Sequence, residues 1–86
     1  MKFVLNKCYG GFGLSDWAKE QMGCSEPYRD DPEFITLVTN HGKKVSEWYA
    51  KLVVVEIPDN TTDYEIDEYD GFESITYVVD GKIYHA

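Results

Sequence analysis

Apolar and polar positions along this chain change rhythm several times, and each rhythm predicts an element. Residues 2–8, KFVLNKC, read as a first strand with Phe3 and Leu5, and Cys8 at its end, facing inward. After a glycine-rich turn, Ser15 can cap a short helix running to Met22. Asp16 suits its positive end and Gly23 its stop. A second helix opens on Asp31 as cap with Pro32 in its first turn. Phe34, Leu37, Val38 and His41 then recur at helical spacing until Gly42. The run FITLVT is rich in β-branched residues, but caps at both ends favour the helix.

The second half changes to strand patterns. Leu52 to Ile57, LVVVEI, is an unbroken apolar run and reads as a central strand, ended by the turn Pro58 to Thr62. Residues 64–69 alternate, with Tyr64 and Ile66 inward and Glu65 and Asp67 outward, and Gly71 breaks them. Residues 73–79 and 82–85 are two strands joined by Asp80-Gly81, a strong hairpin signal. Residues 43–50 fit either a helical turn or a loop. The expected fold class is α+β: one domain over residues 1–86, with a small antiparallel or mixed sheet of four to five strands and two short helices on one face.

Charge sharpens this picture. The net charge of −8 lies entirely in residues 52–86, where Lys82 stands alone against nine acids. Such a balance argues against direct contact with nucleic-acid backbone, which needs clustered Lys and Arg, and permits a basic partner. No apolar stretch reaches the length of a membrane span. The Met1-Lys2 start lacks the apolar core of a secretion signal. With two cysteines, Cys8 and Cys24, the expectation is a cytoplasmic protein with free thiols.

The stretches KCYGGFGLS, RDDPEFITLV and KLVVVEIPDN, followed by YEIDEYDGFESI, together resemble a family of small uncharacterised proteins found in bacterial and phage genomes. The shared motifs fall at Cys8–Ser15, Arg29–Pro32, Val55–Asp59 and Tyr69–Glu73. The resemblance implies a phage-type setting, in which small acidic proteins often counter host defence. Family members end in a basic, aromatic tail of the His-Arg-x-Trp kind. This chain ends VVDGKIYHA, with only His85 as an echo.

Two binding surfaces follow from the residues. A strand, a glycine turn and a helix start form the generic anion site, with amides free of side chains beside a positive helix end. Gly10, Gly11, Phe12, Gly13 and Ser15 offer that geometry, though without the phosphate-loop signature. Arg29 would neutralise the anion, flanked by Lys43 and Lys44, and Tyr9 or Trp17 would stack on a base. The same glycines would equally serve a tight corner. The first expectation is a non-enzymatic binding protein that sequesters a nucleotide or phosphate-bearing signal, working as a homo-oligomer with pockets between subunits. The alternative is an acidic decoy, with Asp63, Glu65, Asp67, Glu68, Asp70 and Glu73 occupying the basic groove of a host nucleic-acid-binding protein.

Chemistry has less support. Cys8 with His41 or His85 would make a thiolate pair, but a cysteine at a strand end is more often a small buried hydrophobe. Cys8, Cys24, His41 and His85 lack the paired spacing of zinc sites. The acidic run fails the ligand spacing of a calcium loop. No catalytic residue, metal or cofactor is expected.

Overall fold

A computed structural model describes all 86 residues. Five strands and two α-helices follow in the order β1 (Lys2–Asn6), α1 (Asp16–Met22), α2 (Pro32–His41), β2 (Leu52–Glu56), β3 (Asp63–Tyr69), β4 (Phe72–Val79) and β5 (Lys82–His85), with a 3-10 turn at Gly42–Lys44 after α2. The fold is α+β, as the patterns predict. Its strands are all antiparallel and divide into two sheets, β1-β2 and β3-β4-β5.

The helix ends obey their caps. Ser15 accepts the Ala18 amide, and Gly23 ends α1 in the left-handed region at φ 71°. Asp31 accepts the amides of Glu33 and Phe34, with Pro32 following. Of the α2 face, Phe34 and Val38 are buried and Leu37 is half-buried. His41 instead lies at the surface, where its ring meets the Trp17 ring edge-on at 4.9 Å.

β1 is the middle of the molecule. Val4 faces the helices and packs with Leu14, Ala18, Phe34, Val38, Val45 and Leu52. Phe3 and Leu5 face the other way and pack with Ile57 and Ile75 under the larger sheet. Strand alternation sends neighbouring side chains to opposite faces, so a strand covered on both sides is apolar at consecutive positions, here Phe3, Val4 and Leu5. The apolar run of β2 suggests the same role, but β2 borders only β1, and Val53, Val54 and Val55 are half-buried. The central strand is therefore β1, and β2 is an edge.

The three-stranded sheet lies across β1 from the helices. Register pairs Tyr64 with Tyr77 and Tyr77 with Tyr84, a row of three tyrosines on its inner face. Tyr64 packs against Phe3 with ring centroids 4.9 Å apart. The opposite face carries Asp63, Glu65 and Asp67 into solvent.

Candidate functional site

The glycine stretch between β1 and α1 is built around three buried or half-buried anchors. Asn6, at the end of β1, is fully buried. Its amide nitrogen donates to the Cys8 carbonyl at 2.8 Å and the Gly71 carbonyl at 2.6 Å, and its oxygen accepts from the Lys51 amide at 2.9 Å. One side chain thus ties the glycine loop to the β3–β4 turn and to the entry of β2. Tyr49 fits against the loop so closely that a Cβ at Gly10 would overlap its carbonyl, and a Cβ at Gly13 would overlap its phenol ring. Gly71, at φ 88° in the turn after β3, lies against the backbone of Gly11 with no room for a Cβ.

Glu73 is the third anchor. Its carboxylate is 6% exposed as a residue and accepts three N–H groups. The Asn6 amide donates at 2.8 Å, and Arg29 donates through Nε at 3.2 Å and Nη2 at 2.8 Å. This is the forked pairing for which a guanidinium is shaped. The Arg29 guanidinium also lies 3.6 Å from the centroid of Phe12, and its Nη1 donates to the Pro27 carbonyl at 3.4 Å. Beside this pair, Lys7 reaches the Ala86 carbonyl at 3.3 Å and the ring of Phe72 at 5.0 Å. Partial burial pulls the Lys7 ammonium below its ordinary pKa, and the Glu73 charge opposes that pull.

The residues expected to cradle an anion are thus together, but each has a partner within the fold. Arg29 is committed to Glu73, which corrects the expectation of a free cation beside the loop. Ser15 Oγ donates to the Lys44 carbonyl at 2.6 Å while accepting from Ala18. Trp17 has the Lys44 ammonium 4.2 Å above its ring and His41 at its edge. Tyr9 stacks on Phe72 at 5.0 Å. The cavity beside Phe12, Gly13, Lys19 and Tyr49 holds about 200 Å³, against roughly 300–1,000 Å³ for sites that enclose a small organic ligand. α1, with seven residues, contributes only a weak dipole.

The acidic set divides differently. Glu73 leaves it, because it is buried and paired, again a correction with a plain physical cause. The other five, Asp63, Glu65, Asp67, Glu68 and Asp70, are exposed. Asp63, Glu65 and Asp67 share one face of β3, spaced by about 7 Å along a strand that rises roughly 3.4 Å per residue. Asp67 accepts the Thr76 hydroxyl at 3.0 Å, and that hydroxyl lies 3.2 Å from His85 Nδ1. Glu68 closes the turn by accepting the Gly71 amide at 2.5 Å. The ion pairs of the molecule join Met1 to Asp59 and Arg29 to Glu73, so none of these five carboxylates meets a cation.

Cys8 is half-buried and Cys24 exposed, both as free thiols. No helix is long and apolar enough to cross a membrane. Sequence reasoning missed Asn6 and Tyr49 and misassigned Glu73. The signal for Glu73 was available, since it shares strand parity with Ile75 and Tyr77 and so points inward.

Comparison with known proteins leaves the site to be read on its own geometry: no protein-family model, curated protein or solved structure matches the chain.

Proposed function

We propose that this chain is a non-enzymatic binding protein whose exposed β3 face docks onto a basic groove of a nucleic-acid-binding protein. The observation that carries the proposal is the row Asp63, Glu65, Asp67, with Glu68 near the end of the same edge strand and Asp70 in the turn after it: five exposed carboxylates, none paired with a cation. Charges held at a regular spacing on a sheet need no backbone reorganisation when they meet a cationic surface, and they mimic the repeated charge of a nucleic-acid strand. The β3 backbone edge is also free, so main-chain hydrogen bonds can add to the charge contacts. The glycine corner supports this surface from below, because Gly71 and Glu73 lock the β3–β4 turn against Asn6, Gly11 and Arg29.

In the phage-type setting implied by the sequence resemblance, the groove would belong to a host defence protein, and occupying it would keep that protein from nucleic acid. No bond is made or broken, so no nucleophile, metal or cofactor is needed.

The test is capture from bacterial cells with three forms of the chain. They are wild type, the triple variant Asp63→Asn/Glu65→Gln/Asp67→Asn, and an equal charge loss on the helices, Asp16→Asn/Glu20→Gln/Glu33→Gln. Wild type and the helix variant should retain a nucleic-acid-binding protein that double-stranded DNA displaces, and the β3 variant should lose it. Equal capture by both triple variants would assign the effect to net charge and overturn the proposal.

A further inference from the structure

The molecule has four strand edges to account for, and they are protected unequally. The outer edge of β1 is covered, since the Val4 amide donates to the Arg29 carbonyl at 2.7 Å and the Asn6 amide to Glu73. β3 carries its row of acids, and β5 is only four residues long with Lys82 at its start. Charge and shortness are the usual ways of keeping an edge from pairing with another copy of itself, and a row of acids still admits a basic partner. β2, five residues long, carries a single charge, Glu56, at its end, so Val53, Val54 and Val55 form an uncharged stretch of edge.

The hydrogen bonds of β1–β2 show which β2 groups are free. Met1 and Ile57 exchange both backbone bonds, at 2.7 and 2.8 Å, and the Lys7 amide donates to the Lys51 carbonyl at 2.7 Å. In an antiparallel ladder such pairs alternate, so Lys51, Val53, Val55 and Ile57 face β1. Leu52, Val54 and Glu56 therefore aim their backbone groups at the free edge. The Leu52 amide is satisfied by Ser46 Oγ at 3.0 Å, which leaves its carbonyl and both groups of Val54 and Glu56.

Beside this edge lies a groove of about 610 Å³, lined by Ala50, Leu52 and Val53 with Lys43 and Lys51 among its polar residues and Glu47 its one acid. At its rim Trp48 is 91% exposed, the most exposed large apolar side chain of the chain. An exposed tryptophan beside an unprotected apolar edge is the composition of an interface centre.

We propose that β2 pairs antiparallel with β2 of a second copy of this chain, about a two-fold axis at Val54, to give a continuous sheet β1-β2-β2-β1. In that register Val54 of each copy donates to Val54 of the other, and Glu56 donates to the Leu52 carbonyl of the other. The Leu52 amide, already bound to Ser46, needs no partner. The same register carries the Glu56–Asp59 segment of the second copy along the groove. Pro58, which has no amide to satisfy, comes opposite Ala50 and beside the Trp48 indole. The charges then complement one another. Glu56 of the second copy lies on the α2 face, opposite Leu52 and near Lys43, and Asp59 falls diagonal to Lys51. A two-fold axis makes every such contact twice. The dimer leaves both β3 faces exposed, so it is independent of the proposed docking surface.

The test is the mass of the full chain by sedimentation equilibrium from 1 µM to 1 mM (concentrations on the order of those where modest dimers form). Trp48 emission is followed in a Trp17→Phe background. Wild type should pass from monomer to dimer as concentration rises, with a blue shift as the indole leaves water. Trp48→Glu should raise the dimer dissociation constant by about tenfold or more. Lys43→Glu and Glu56→Lys should each weaken the dimer, and the two together should restore it. Lys43, Trp48 and Glu56 are exposed, and circular dichroism checks that each variant, including the Trp17→Phe background, is folded. A monomer throughout the range would overturn the proposal, as would a dimer indifferent to Trp48→Glu, or charge reversals that weaken without rescue.

Discussion

The two Asp-Gly turns provide a controlled test of why the glycine corner exists. Asp70-Gly71 and Asp80-Gly81 have nearly the same backbone, with φ 51° and 88° in the first and 51° and 75° in the second. Replacing either glycine by alanine forces a Cβ into the left-handed region, at a cost of roughly 1–2 kcal/mol. At Gly81 nothing lies within 4 Å of the new atom, so that is the whole cost. At Gly71 the Cβ would stand 2.5 Å from the Gly11 nitrogen and 2.9 Å from the Tyr9 carbonyl oxygen. Both obstacles are backbone, so no side chain can rotate away, and overpacking adds about 1–3 kcal/mol. Gly71→Ala should therefore cost about 2–5 kcal/mol against about 1–2 for Gly81→Ala. Urea unfolding of the two variants and wild type reads this directly. With a slope near 1 kcal/mol per molar, the two midpoints should differ by roughly 1–3 M. Equal shifts would refute the packing of the β3–β4 turn against the glycine loop, and with it the reading of that loop as a corner.

Other expectations rest on the same network. Glu73→Gln keeps the shape but sets an amide among donors, and should cost about 2–4 kcal/mol in urea unfolding, allowing for the partial exposure of Arg29. In the Glu73→Gln background, Arg29→Met should cost markedly less than in wild type; additive losses would mean the fork contributes little. Asn6→Ala strands the Lys51 amide and the Gly71 carbonyl and leaves the Cys8 carbonyl only the long bond from the Gly11 amide, and should cost roughly 2–3 kcal/mol by the same assay. The lowered pKa of Lys7 gives a pH signature. The unfolded chain binds that proton more tightly, so wild type should gain stability relative to Lys7→Met as pH rises from the folded-state value toward 10.5. A stability difference that stays flat as pH rises toward 10.5 would contradict the burial assigned to this ammonium.

Local chemistry was legible in the sequence, and long-range pairing was not. Ser15, Gly23, Asp31, Pro32 and Gly42 mark both helices, because caps act within one turn. Alternation gave the outward face of β3 for the same reason. The strand covered on both faces is β1 and not β2, since an apolar run reports how well a strand suits burial and not which neighbours cover it. Arg29 and Glu73 stand 44 residues apart, and no local pattern announces that they will meet. Their pairing converts a candidate ligand-binding cation and a candidate docking acid into one structural fork. The glycines fall between these cases. Their spacing shows that a backbone must come close to something, and only the fold shows that it is Tyr49 and the Gly71 turn.

The most direct test of the β3 face as the docking surface is an NMR titration of the isotope-labelled chain. The probe would be a sequence-nonspecific, basic-groove DNA-binding protein, with backbone amide shifts followed at low and high salt. The account predicts perturbations along Asp63–Asp70 that fade steeply as salt screens the contact. Perturbations centred on Gly10–Ser15, or spread evenly over every acidic residue of the chain, would contradict it.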